Sequence, residues 1–356
     1  MFERNVYDEY RLYSEQKFML GEFAGFTVQN KHYFFVPIEE IENDEVLEMI
    51  KMGNHLQAQG DHEIATFIPT VNKTLTGFVD GKNGVLFQLP AYYSRSKKEK
   101  TLGFELARLH NSGKSYLTRK KEFANWTNFW INRSAQLDML YENLAKQTRK
   151  SSFDQSFMTA FPYFQGRTEN AIQYIVDANI DYKDDIQNQV KTICHYQFSA
   201  GTWLTIDNTT KATVKNPIEF VYDYPSRDLA ERIREIVGET DDPFEKSRQF
   251  LNDYQIVEEI SLLSWCHIYG RLLFPIDYFQ IVEGYYRSRN ADEREVYVDR
   301  FFELLSSEKK METFLRQFHK RVISTYWQEI VPKVDWLSNR ADRITLSENG
   351  DFLFKK

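Results

Sequence analysis

Between Phe23 and Leu89 the apolar residues come in short runs spaced like strands. Phe23 to Val28, Tyr33 to Pro37, Ile64 to Pro69 and Gly84 to Leu89 are broken by the turn-like segments Gln29-Asn30-Lys31 and Asp80-Gly81-Lys82-Asn83-Gly84. One stretch departs from this pattern. Asp44 to Gln59 sets Val46, Ile50 and Leu56 at helical spacing, with Glu45 and Glu48 on other faces. The order from about Phe18 to Val85 is therefore hairpin, third strand, one helix, two more strands.

From Leu102 onward the spacing is helical. Leu102, Leu106 and Leu109 share a face, with His110 ending the turn as a capping or packing residue, and Trp126, Phe129, Trp130 and Ile131 begin a second apolar face. Ser226, after Pro225, reads as the N-cap of a helix whose inward positions are Leu229, Ala230, Ile233 and Val237 and whose C′ residue is Gly238. Asp228 falls in its first turn, where the helix dipole favours a carboxylate. Pro243 to Trp336 reads as long helices closed by Pro275 and Pro332, with a stripe of Phe314, Phe318 and Val322 on a helix that Tyr326 and Trp327 close. The charged tail ends in Phe352-Leu353-Phe354, a docked strand or a mobile end.

A chain of 356 residues exceeds what one core usually supports, so two packed lobes are expected. Its net charge of −7 argues against a nucleic-acid binder, since such proteins draw affinity from excess lysine and arginine. Lys97-Lys98-Glu99-Lys100 and Arg119-Lys120-Lys121 are too short to change that and read as solvated faces. Cys194 and Cys266 make no disulfide framework, which fits a reducing compartment. No apolar run approaches the roughly 20 residues needed to span a bilayer, and Met1-Phe2-Glu3-Arg4-Asn5 does not open a signal peptide, so synthesis in the cytoplasm is expected. Aromatic residues make up 15% of the chain, enough to furnish interface anchors as well as cores.

The chemistry concentrates in His195-Tyr196-Gln197-Phe198-Ser199-Ala200-Gly201-Thr202. This has the outline of a phosphotransferase catalytic loop, H-G-D-x-x-x-x-N, in which the Asp takes the proton of the attacking hydroxyl and the Asn offers Mg²⁺ an oxygen ligand. Gln197 and Thr202 stand in those two places. Further on, Pro225-Ser226-Arg227-Asp228-Leu229-Ala230 reproduces a P-x-R-D-L-A stretch.

On these residues, together with Tyr33-Phe34-Phe35-Val36-Pro37 and Leu102-Gly103-Phe104-Glu105-Leu106-Ala107-Arg108-Leu109-His110, the chain resembles the aminoglycoside-phosphotransferase-like superfamily, and within it the spore-coat CotS and YutH group. The resemblance implies an α+β, two-lobed protein-kinase-like fold. A small antiparallel-sheet N-lobe with one helix would run through residues 1–91, and a larger, mainly helical C-lobe through 92–356. It also aligns the metal-binding D-F-D with Asn216-Pro217-Ile218, and the phosphate-binding lysine of Y-x-L-K-P with Val36. His195 and Asp228 are then architecture, Asp228 reaching the backbone of the loop. Gln88-Leu89-Pro90-Ala91 becomes the hinge, whose backbone would hold ATP weakly if at all; no cofactor is otherwise expected.

Loss of the general base costs a phosphotransferase roughly 10²- to 10⁴-fold, and loss of a phosphate clamp a further 10²- to 10³-fold. Together that is about 5 to 10 kcal/mol of barrier if the losses are independent. Rescue would need relocated acids, for which Glu219, Asp223 and Asp207 are the nearby candidates. The expectation is a catalytically degenerate kinase-like protein, made in the mother cell and deposited in the spore coat, whose partners are other coat proteins. A small-molecule phosphotransferase with displaced metal ligands is the alternative.

Overall fold

The computed structural model describes residues 1–38, 41–90, 101–118, 126–207, 212–334, 344–346 and 352–354. Ala91 and both basic runs lie outside the described residues. The chain opens with α1 (Phe2–Tyr10), β1 (Gln16–Leu20), β2 (Phe23–Val28), β3 (Lys31–Pro37), α2 (Asn43–Ala58), β4 (Thr66–Ile68), β5 (Gly77–Val79) and β6 (Lys82–Gln88). Helices α3 (Leu102–Gly113), α4 (Trp126–Lys146), α5 (Ser152–Asp181) and α6 (Lys183–Asn188) lead to the short strands β7 (Thr192–His195), β8 (Leu204–Asp207), β9 (Ala212–Val214) and β10 (Phe220–Asp223). The last part is α7 (Ser226–Glu239), α8 (Pro243–Gln255), α9 (Leu262–Leu273), α10 (Ile276–Arg287) and α11 (Ala291–Arg321), then β11 (Ile344–Leu346) and β12 (Phe352–Phe354). These elements pack as two units, one of Met1–Phe123, Val190–Asp228 and Asp253–Glu258, the other of Ala124–Gln189, Leu229–Asn252 and Glu259–Lys356.

The first unit is built on an antiparallel sheet ordered β1-β2-β3-β6-β4, with β5 also on β6. Gln29 and Asn30 have φ of 48° and 63°, and Asp80 and Gly81 have 53° and 83°. Two positive-φ residues in succession give the turn whose twist matches a hairpin, so each pair alone reverses the chain. That is why Lys82-Asn83-Gly84, read from sequence as turn, belongs to β6. Successive residues of β3 face opposite sides of the sheet and both sides are covered. Phe34 and Val36 pack with Val46 and Ile50 of α2, Val85 of β6 and Val214 of β9. Tyr33 and Phe35 pack with Phe2, Val6 and Tyr10 of α1, a helix the strand-like spacing did not signal.

The second unit is mainly helical. Two buried arginines from other helices satisfy the last carbonyls of α9: Arg234 Nη2 donates to Arg271 O at 2.6 Å and Arg167 Nη2 to Leu273 O at 3.0 Å. Those carbonyls have no partner within the helix, and the guanidinium charge suits its negative end. Arg167 also pairs with Glu308 of α11, to which Tyr163 donates at 2.9 Å, and Arg271 pairs with Glu231 of α7 at 2.8 Å.

Several local expectations are corrected. Ser226 already lies in helical backbone, begun by the Arg227 N–H to Tyr224 O bond, so it is not an N-cap; its hydroxyl is buried with no partner among the described residues. Gly238 is likewise inside α7, whose pattern continues through Thr240 N–H to Ile236 O. α3 runs past His110 to Gly113. Trp126 and Trp130 are buried, but Phe129 and Ile131, off that face, are 54% and 47% exposed. α11 ends at Arg321, before the run Val322-Ile323-Ser324-Thr325 of poor helix formers, leaving Tyr326 and Trp327 beyond it. Of the two readings of the tail, the strand holds for Phe352-Leu353-Phe354, which pairs antiparallel with β11.

Candidate functional site

β7 and β10 pair antiparallel and present the catalytic-loop outline at His195. α3 presses directly on β7 because Gly113 has no side chain: a Cβ there would stand 2.4 Å from Thr192 Oγ1. Thr192 returns the contact by donating to His110 O at 2.6 Å. The result is a buried polar centre around one carboxylate. Asp228 accepts from the His195 backbone N–H at 2.9 Å on Oδ1, from His195 Nδ1 at 2.7 Å and from His110 Nε2 at 3.1 Å on Oδ2.

The proton positions follow from the partners. The Trp203 indole N–H can only donate, and it donates to His195 Nε2 at 3.1 Å, so the His195 proton sits on Nδ1 facing Asp228. His110 donates from Nε2 and accepts from the Tyr254 hydroxyl on Nδ1 at 2.9 Å. Burial alone would raise the Asp228 carboxyl, but the pull of His195 and the hydrogen bonds of both rings hold it well below the usual carboxylate range. Burial pushes His110 down, against the pull of Asp228. His110, Cys194 and Asp228 bring potential metal-ligand atoms within 4.8 Å of one another. Each already spends that atom within the chain, and burial pushes the Cys194 thiol up, which disfavours the thiolate a metal requires.

The four substituted positions make contacts of other kinds. Val36 is buried in an apolar cluster that also holds Val46, Ile50, Val85 and Val214. Gln197 is exposed, and its carbonyl accepts from Thr202 Oγ1 at 3.2 Å. The same Thr202 oxygen accepts from Ser199 N–H at 2.8 Å, so the residue in the asparagine position ties the loop to itself. Phe198 and Trp203, both buried, pack edge to face and lie against the His195 ring. Asn216 is 2% exposed and caps the 3₁₀ turn Pro217–Glu219 by accepting from Ile218 N–H at 3.2 Å, while its Nδ2 has no partner among the described residues.

The candidate replacement acids differ. Asp223 is fully buried and engaged by Arg227 Nη1 and Tyr224 N–H, both at 2.7 Å. Glu219 is half-buried, and burial, with nearby Glu22 adding to it, raises its carboxyl against the influence of His195. Asp207 ends β8, and its side chain lies outside the described residues. Where a hinge was expected, Gln88 ends β6, Leu89 N–H donates to His32 O at 2.8 Å, and Pro90 is half-buried.

Sequence reasoning missed Lys215. Its side chain is 3% exposed, with Nζ 2.7 Å from Asp61 Oδ2, 3.1 Å from Glu63 Oε2 and 4.7 Å from the centre of the Trp203 ring. A lysine directly after the apolar-rich Ala212-Thr213-Val214 and beside the substituted Asn216 was the available signal.

A family model described as "Spore coat putative kinase YutH" matches residues 3–318. The chain belongs to this spore-coat family. Endospore coat-associated protein YutH of Bacillus subtilis (strain 168) is 29% identical over 348 residues, covering 96% of this chain and all of that relative. Among solved structures, an aminoglycoside phosphotransferase from Alicyclobacillus acidocaldarius superposes with a TM-score of 0.65 at 14% identity, over 90% of this chain and 96% of that one. A spectinomycin phosphotransferase, solved with ADP and spectinomycin, gives 0.55 at 15% identity over 88% and 93%. At these identities the likeness establishes the kinase-like α+β fold, as the motif order led one to expect, and leaves the chemistry to the residues. Among the described residues no helix is long and apolar enough to cross a membrane.

Proposed function

We propose that this member of the YutH family is a kinase-shaped coat component that does not transfer phosphoryl groups and acts by binding other coat proteins. The observation that carries the reading is Val36. The place of the phosphate-binding lysine belongs to an apolar cluster that also takes in α2 and β9, so no cation is available there to clamp phosphates. Three facts support it: Thr202 is spent on its own loop, Asn216 on a cap, and Phe198 and Trp203 pack against His195. ATP, if bound, would be held without help from Mg²⁺.

The phosphotransferase alternative rests on Glu219, the one candidate acid whose described carboxyl is not held by an arginine. Incubation of the purified protein with Mg-ATP and a panel of aminoglycosides, choline-like alcohols and sugars is expected to release no ADP above background. Release that disappears in Glu219→Gln would establish the alternative. A fluorescent fusion is expected to move from the mother-cell cytoplasm to the forming coat and to do so equally after Gln197→Asp, Thr202→Asn and Asn216→Asp. A fusion that stays diffuse throughout sporulation would overturn the assembly role.

A further inference from the structure

The Lys215 cluster adds a role that neither the fold nor the motif outline contains. The residue is held by backbone and side chain to the same short segment: its N–H donates to Glu63 O at 2.8 Å, its carbonyl accepts from Ala65 N–H at 3.0 Å, and its ammonium meets Asp61 and Glu63. That segment directly follows α2. Gly53 of α2 packs against Pro217, two residues beyond Lys215, so closely that a Cβ would fall 2.8 Å from the proline ring. The ammonium also lies over the ring of Trp203, whose indole N–H is bonded to His195 and thence to Asp228.

We propose that Lys215 is a permanently bound internal cation that orders the end of α2 and the degenerate catalytic loop together, with Trp203 as the shared part. A metal ion and nucleotide would order such a site only when bound, whereas an ammonium carried by the chain orders it always. Two carboxylates and an aromatic face suit this task. They compensate a desolvated charge and fix the ammonium between elements that are distant in sequence. The inference is independent of whether the protein turns over ATP, because it concerns order in the ligand-free chain.

Hydrogen exchange of the full chain tests it. Lys215→Met is expected to raise exchange at least tenfold in segments 59–66 and 195–204 while the second unit stays protected, and Lys215→Arg, which keeps the cation, to stay within about twofold of the wild type. Adding Mg-ATP is expected not to restore protection to Lys215→Met. Should Lys215→Met fail to fold, Glu63→Gln, which removes one acid without opening a cavity, is expected to raise exchange severalfold in the same two segments. Unchanged protection, an equal rise across the whole chain, or a rise in 59–66 with 195–204 unaffected would overturn the proposal.

Discussion

Each unit has a buried polar centre, and the two have opposite signs. In the first, one carboxylate, Asp228, collects the donors of two imidazoles and a backbone N–H. In the second, Arg167, Arg234 and Arg271 collect acids and the terminal carbonyls of α9. The anion organises a loop, whereas the cations close a helix end that water does not reach. The first centre binds the loop at His195 to the first turn of α7. Asp228 and His195 make the centre itself, whereas Gln197 is exposed, Thr202 closes its own loop and Asn216 caps a 3₁₀ turn.

The comparison breaks most easily on the cationic side. Arg167→Met leaves Glu308 buried without its counter-charge and strips Leu273 O of its donor, so it is expected to cost roughly 3–5 kcal/mol in denaturant unfolding. The double variant Arg167→Met, Glu308→Leu should recover a large part of that loss, since an apolar pair imposes no charge on the core. A single variant with wild-type stability would show that the arginine is not what holds the end of α9.

On the anionic side the effect should be smaller, because the partners left behind are neutral. Asp228→Ala removes the acceptor from two ring N–H groups and one backbone N–H, for an expected loss of about 3 kcal/mol. Asp228→Asn, which keeps one acceptor oxygen, should lose less. If the two variants are equally destabilised, the charge rather than the hydrogen-bond count decides the centre.

What the sequence revealed follows from how local each signal is. The β2–β3 hairpin, α2 and the catalytic-loop outline are legible because their patterns close within a few residues. Asp228 was legible through a short motif, and its bond to the His195 backbone lies where the kinase-like fold implies. α1 was legible too, since Phe2, Val6 and Tyr10 stand at i, i+4 and i+8, but at nine residues it is short and what its stripe covers came only from the fold. Lys215 and Asp61 are separated by 154 residues, and Arg167 and Glu308 by 141, so a charged residue in either sequence neighbourhood reads as surface. His110 was read correctly as a packing residue, though its partners Asp228 and Tyr254, 118 and 144 residues away, came only from the fold.

The smallest effect expected is one of pH. Asp228 is depressed in the folded state, so its contribution is complete above the ordinary aspartate value near 3.9 and declines only below it. Buried histidines act in a milder range. Burial lowers His319 to about 4 and His267 to about 3, the latter with Arg271 adding to the effect. A histidine held neutral in the fold is protonated first in the unfolded chain, so stability falls as pH drops below the ordinary 6.5 and levels off only near the folded value. Each of these two should therefore cost about 2 kcal/mol at pH 5 relative to pH 7. His319 Nε2 lies 2.8 Å from Pro332 O and donates to it, a bond that a glutamine amide can replace without titrating. Denaturant unfolding of His319→Gln at pH 7 and pH 5 should thus show a pH-linked loss smaller than the wild type's by about 2 kcal/mol. If the loss is undiminished, His319 is not among the groups through which acid destabilises the fold in this window.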